Sequence, residues 1–260
     1  MTHLGPGLPT PGGGVGAPMV VRTLDTRKEG GLVNAEPASP TPGNADASKD
    51  IREACVWRDA LMHDPWAGVV VVGSDGRIVA SNAAFARRIE APGPIVGRRI
   101  ADLVPPDIGA ERTALTQRVR DTGRPLVALG MVRGVYCSAV YRRCSPRGDH
   151  DDLLLGVCHP VTAHAGVPPI DFDAEVVDCG IQDWGRLASL SDRELEILDL
   201  IGEGLTTAEV AKALHRAEKT VEWHRSSLGD KLGGLNRVEL ARVARESGVA
   251  PFLRRRGLLE

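Results

Sequence analysis

The residues with the most usable chemistry lie between positions 206 and 232, TTAEVAKALHRAEKTVEWHRSSLGDKL. Val221, His224, Leu228 and Leu232 follow one another at spacings of 3, 4 and 4, the period of a single helix face, and read as its inward side. Lys219, Glu222, Trp223 and Ser226 then point outward, and Arg225 sits at the flank. An ammonium, a carboxylate, an indole, a hydroxyl and a guanidinium along one helix edge suit the base edges and phosphates of a duplex groove. The inward spacing makes His224 a packed core histidine rather than a ligand or a base.

Other candidates carry less. Cys158-His159 with Cys144 lacks a second tight pair of ligand residues, so no metal is expected. Asp151-Asp152 resembles a carboxylate pair, but adjacent strand residues face opposite ways, and a solvated loop accounts for them. Ser191 and Ser226 have no matching His/Asp constellation, and no glycine-rich phosphate loop precedes a basic helix. The chain is therefore expected to be neither an enzyme nor a cofactor carrier.

A helix edge of this kind must be held by neighbours, and the flanking sequence supplies them. Ser191 with Glu194 forms a capping box ahead of a Leu195, Leu198, Ile201 stripe, which Gly202 and Gly204 end. Thr206 with Glu209 opens a second, short helix burying Val210, Ala211 and Leu214. A turn through His215 to Glu218 leads to a third helix from about Lys219, and Asn236 with Glu239 opens a fourth. The second and third helices have the dimensions of a helix-turn-helix.

Upstream the pattern changes. Residues 51–62 read as a helix ending before Pro65. Val69 to Val72, the turn Asp75-Gly76 and Arg77 to Ala80 read as a hairpin, after which Ser81 or Asn82 caps a helix through Phe85 and Ile89. IVGRRIADLVPP suggests a short element, and Glu111 to Asp121 a helix stopped at Thr122-Gly123. PLVALGMV, GVYCSAVYRR and DDLLLGVCHPV follow as three antiparallel strands. The fold class is thus an α+β domain, an antiparallel sheet with flanking helices, followed by a small all-α four-helix domain. A phosphate-accepting receiver domain is excluded, because the strand near Asp75 turns into another strand instead of crossing over.

The expected divisions are a disordered arm over 1–50, an input or dimerisation domain over 51–161, an acidic linker over 162–186, the helix-turn-helix domain over 187–251 and a basic tail over 252–260. The arm holds 9 Gly and 7 Pro in 50 residues and cannot bury enough surface to offset ordering its backbone. The linker carries Asp171, Asp173, Glu175, Asp178 and Asp183 and reads as a solvated spacer. Arg254 to Arg256 read equally as a solvated tail or as phosphate contacts.

The whole chain has 260 residues, 32 Lys plus Arg against 34 Asp plus Glu, and 3% aromatic residues. So few aromatics disfavour a base-stacking single-strand binder. From Thr206 to Glu260 the balance turns basic, 11 Lys plus Arg against 7 Asp plus Glu. No run of apolar residues is long enough for a membrane helix, no secretory leader is recognised, and five scattered cysteines fit a reducing cytoplasm.

With LSDRELEIL, EGLTTAEVAKAL, KTVEWH, DKLG and NRVEL in place, residues 187–250 resemble the LuxR/GerE-type transcriptional regulator domain. The resemblance implies that the third helix is the recognition helix and that the fourth often forms a dimer contact. It places Glu222, Trp223 and Ser226 at groove-facing positions and Lys219, Thr220 and Arg225 at backbone-facing ones, with Thr206, Thr207 and Lys231 completing the DNA-binding set. Two residues depart from the family pattern: Arg216-Ala217 replace an aliphatic residue and a Ser cap, and Glu222 stands where Lys is frequent. Residues 66–161 resemble a PAS sensory domain, carried by GVVVVGSDGRIVASNAAFARRI, VGRRIADLVPP and the three late strands. Arg87 and Arg88 depart from it, standing where such domains often bury aliphatics. The helix from Glu111 has no His for haem, and no helical Asn-Cys pair matches a flavin-adduct signature, which leaves other ligands, a docking role or dimerisation open.

The combined expectation is a cytoplasmic, homodimeric regulator of double-stranded DNA whose input domain takes an unidentified small ligand or protein partner, with RNA polymerase as a further candidate partner and no membrane. The alternative is a protein–protein signalling adaptor whose helical domain no longer reads DNA.

Overall fold

The computed structural model describes residues 20–22, 58–144, 152–162 and 172–257. The sheet has seven strands: β1 (Val20–Arg22), β2 (Gly68–Val72), β3 (Ile78–Ser81), β4 (Leu126–Val132), β5 (Val135–Cys144), β6 (Leu153–Pro160) and β7 (Glu175–Asp178). Their order is β1-β7-β4-β5-β6-β2-β3. All neighbours are antiparallel except β4 and β7. The predicted hairpin is β2–β3, and Gly76 takes the left-handed φ of 78° that its turn requires.

Asn82 is the cap of helix α1 (Ala83–Arg88) and also ties the domain's start together. Its Oδ1 accepts from Phe85 N at 2.9 Å and Val69 N at 3.0 Å, and its Nδ2 donates to Ala67 O at 2.7 Å. A 3₁₀ turn at Ile100–Asp102 fills the expected short element. Helix α2 (Pro106–Thr122) starts five residues earlier than the sequence pattern suggests, because Pro106 stands at its first position, where a proline's missing N–H costs nothing. Alternation along β4 divides the packing: Leu126 and Ala128 cluster with Leu115 and Val119 of α2, and Val127 and Leu129 face the other way.

That other face is covered by the C-terminal helices α3 (Asp192–Gly202), α4 (Thr207–Ala213), α5 (Glu218–Lys231), α6 (Arg237–Ser247) and α7 (Val249–Arg255). One continuous core joins Val127, Leu129 and Tyr136 of the sheet to Leu195, Leu198, Val243 and Phe252 of the helices. Phe252 lies edge-on to Tyr136 at 5.5 Å and to Trp184 at 5.2 Å. Gly248, at the corner between α6 and α7, has φ 63°, and a Cβ there would lie 1.9 Å from Val161 O, so no other residue fits.

Three expected divisions need correction. The 162–186 segment is not a solvated spacer where it is described: Glu175–Asp178 is a strand of the sheet, and Asp183 and Trp184 are buried. Its acids have partners, Glu175 with Arg118, Asp173 with Arg124, Asp178 with Arg255 and Asp183 with Arg133. Nor is the described part of 252–260 a tail, since Val249–Arg255 is a helix burying Phe252 and Leu253, and 258–260 lie outside the described residues. Arg254 pairs with Glu203, Arg255 with Asp178, and Arg256 donates to Cys179 O at 2.6 Å, so these three side chains bind the protein itself. Within the arm, Val20–Arg22 pairs with β7, and the rest of 1–50 lies outside the described residues, as do 51–57, Asp151 and Asp171. Asp152, expected as part of a solvated loop, accepts from Arg120 at 2.9 Å and Arg143 at 3.0 Å. The hydrogen bond from Arg120 and the neighbouring arginine charges hold its carboxyl below the usual range.

Candidate nucleic-acid interface

Three capping boxes set the helix starts of the C-terminal domain. Ser191 with Glu194, Thr206 with Glu209 and Asn236 with Glu239 each satisfy two orphan N–H groups reciprocally. Between α4 and α5 the chain turns at His215, held at φ 51°, while Arg216 N donates back to Ala211 O at 2.9 Å. This closes the helix-turn-helix.

Helix α5 has the predicted sidedness. Val221 and Leu228 are buried, and Leu232 packs at the core's edge. Lys219, Thr220, Glu222 and Ser226 are exposed, Arg225 is half-buried, and Trp223 is 66% exposed. His224 differs slightly from expectation: it is half-buried, its ring meets Trp223 edge-on at 4.9 Å, and its Nδ1 has no protein partner. Thr206 caps α4, its hydroxyl donating to Glu209 Oε2 at 2.7 Å, and half-buried Thr207 begins that helix. The start of α5 lacks a side-chain cap, since Ala217 occupies the position, and Glu218 supplies a negative charge in the first turn.

Lys231 is engaged from behind. Its Nζ donates to Glu194 Oε2 at 2.7 Å, and Ser227 Oγ donates to Glu194 Oε1 at 2.9 Å. Burial opposes ionisation of Glu194. The hydrogen bonds from Lys231, the Ser191 N–H and the Ser227 and Ser191 hydroxyls outweigh it and hold the carboxyl at about 2. Glu194 therefore bolts the last turns of α5 to the first turn of α3 and fixes the outer edge of α5 in place. Sequence reasoning found Glu194 as a capping residue and missed this second role, because only the fold brings positions 194 and 231 together.

The described surface thus presents a helix whose outer edge combines a carboxylate and an indole with flanking cations. The helices that carry this edge are packed on a PAS-type sheet through one continuous core. Residues 188–244 match the family described as "Bacterial regulatory proteins, luxR family", and residues 63–166 match "PAS fold". The transcriptional regulatory protein UhpA of Escherichia coli is 34% identical over 101 residues, 39% of this chain and 46% of UhpA. The protein described as "Uncharacterized response regulatory protein YgeK" of Escherichia coli is 35% identical over 99 residues, 35% of this chain and 67% of YgeK. The chain thus spans about half the length of UhpA. Among solved structures, the Vibrio cholerae VqmA dimer aligns over 78% of this chain and 92% of its own, at 17% identity and a TM-score of 0.39. The chain belongs to the LuxR family of bacterial regulatory proteins, with a PAS-fold domain preceding its DNA-binding domain.

Proposed function

We propose that the chain is a sequence-specific regulator of transcription that reads duplex DNA with the outer edge of α5, as a homodimer. The observation that carries this is the exposure of Lys219, Thr220, Glu222, Trp223 and Ser226 along one edge, held rigid by Glu194. In a major groove, Lys219, Thr220 and Arg225 meet phosphates, with Thr206 and Thr207 at the start of α4 on the adjoining backbone. Glu222 accepts from a cytosine amino group, and Trp223 and Ser226 touch neighbouring base edges. Lys231 acts indirectly, through Glu194. Two copies would set their α5 helices about one DNA turn apart. Among the described residues no helix is long and apolar enough to cross a membrane. We place the protein in the cytoplasm without catalytic activity, its PAS domain as the input and RNA polymerase as a partner in its output.

The test is selection by the full chain from a random duplex pool. Enrichment of a motif with two half-sites about one turn apart is expected. A folded protein that enriches nothing contradicts the reading and favours the adaptor role.

A further inference from the structure

The cavity of the PAS-fold domain lies between the sheet and α1, the 3₁₀ turn and α2, with a volume of about 300 Å³, at the small end of the roughly 300–1,000 Å³ common for small-molecule sites. Its walls are largely apolar, with Val70, Val72, Phe85, Ile89 and Met131 among them. One polar group stands out against that lining. Arg88 follows Phe85 by three positions and precedes Ile89, so helical spacing puts it on the buried face of α1, and it lines the cavity. Its Nε is buried without a hydrogen-bond partner, and its guanidinium forms no ion pair among the described residues.

The other charges on the lining are matched. Arg120 is held by Asp152 at 2.9 Å and by Gly73 O at 2.8 Å. Arg112 lies 3.8 Å from Glu111 and donates to Cys179 Sγ. Asp183 pairs with Arg133 at 3.6 Å and Asp75 with Arg77 at 3.3 Å. Arg99 is exposed to solvent. Among the described residues, that leaves Arg88 as the one unmatched charge in the interior of the lining. Arg88 is half-buried, with the Nε donor shut off from water and unmet, and a ligand that brings a carboxylate satisfies that donor while its body fills the apolar walls. Guanidinium N–H groups are donors only, which selects an acceptor and favours a charged one.

We propose that this cavity binds a small organic acid, a single carboxylate on an apolar body, with Arg88 as its counter-ion. The inference concerns the input side, and its test uses no DNA, so it stands or falls separately from the reading of α5.

The full chain is titrated calorimetrically and by thermal shift with isovalerate, benzoate and phenylacetate, each against its primary amide. At least one acid is expected to stabilise the protein and to bind about tenfold or more tightly than its amide, the margin of a charge-assisted hydrogen bond. Arg88→Met should abolish that preference, and Arg88→Lys should keep it in weakened form. Equal binding of acid and amide, an undiminished preference in Arg88→Met, or no binding of any of the three acids would overturn the proposal. The acid-to-amide comparison is made on the unaltered chain, so a variant that failed to fold would not protect the idea.

Discussion

Glu194 shows how much one residue's surroundings matter. Its folded value of about 2 lies below the ordinary 4.5, so the stability it contributes is present above pH 4.5 and is lost as pH falls towards 2. Glu194→Gln should therefore melt below the parent at pH 7, with the gap closing across that window. Lys231→Met should cost about 2 kcal/mol, the scale of a hydrogen bond to a charged group, and leave the salt dependence of DNA binding unchanged. A reduced salt slope would mean that Lys231 touches phosphate after all. Asp199, on α3, runs the other way: burial and the charge of Glu203, against Arg254, push it from 3.8 up to about 6. Its favourable contribution is present at low pH and lost as pH rises through 6, so Asp199→Asn should be more stable than the parent at pH 7, by at most about 3 kcal/mol. Melting curves of both proteins from pH 4 to 8 check the sign.

At the scale of elements, the helix starts were the most legible, because a cap and its partner three residues on are local chemistry. Asn82, Ser191, Thr206 and Asn236 all cap as their sequences suggest. The side of α5 that faces out was legible too, since a helical period needs only the residues of the helix. The missing cap on α5 yields a direct prediction: Ala217→Ser should raise stability by about 1 kcal/mol in denaturant unfolding, and no gain would show that Glu218 already satisfies the helix start. What sequence hid were pairings over long separations. The acids in and just before β7, Asp173, Glu175 and Asp178, looked solvated because their arginines, Arg124, Arg118 and Arg255, lie 49 to 77 positions away. Helix α7 was obscured by three arginines, although Val249, Phe252 and Leu253 recur at helical spacing after Gly248 and carried the signal. The role of Arg88 was not legible either: the sequence shows it only as a departure, and the cavity gives the departure a purpose.

For the whole molecule, the core that runs from β4 and β5 through α3, α6 and α7 makes the two domains one packed body. The full chain should accordingly melt in a single calorimetric transition. Phe252→Ala, which empties the meeting point of Tyr136 and Trp184, should lower stability by about 3–5 kcal/mol and separate the transition into two. Two transitions in the unaltered chain would show that the domains do not share a core. This docking leaves the outer edge of α5 exposed, and it is on that edge that the proposed function rests. The most direct measurement is the affinity of the full chain for its selected duplex as a function of salt, compared with that of a Lys219→Ala, Arg225→Ala double variant. With both cations on phosphates, the log–log slope should fall in magnitude by roughly 2, about 0.9 for each phosphate no longer neutralised, and affinity should fall with it. An unchanged slope and affinity in a folded double variant would contradict the placement of α5 against DNA.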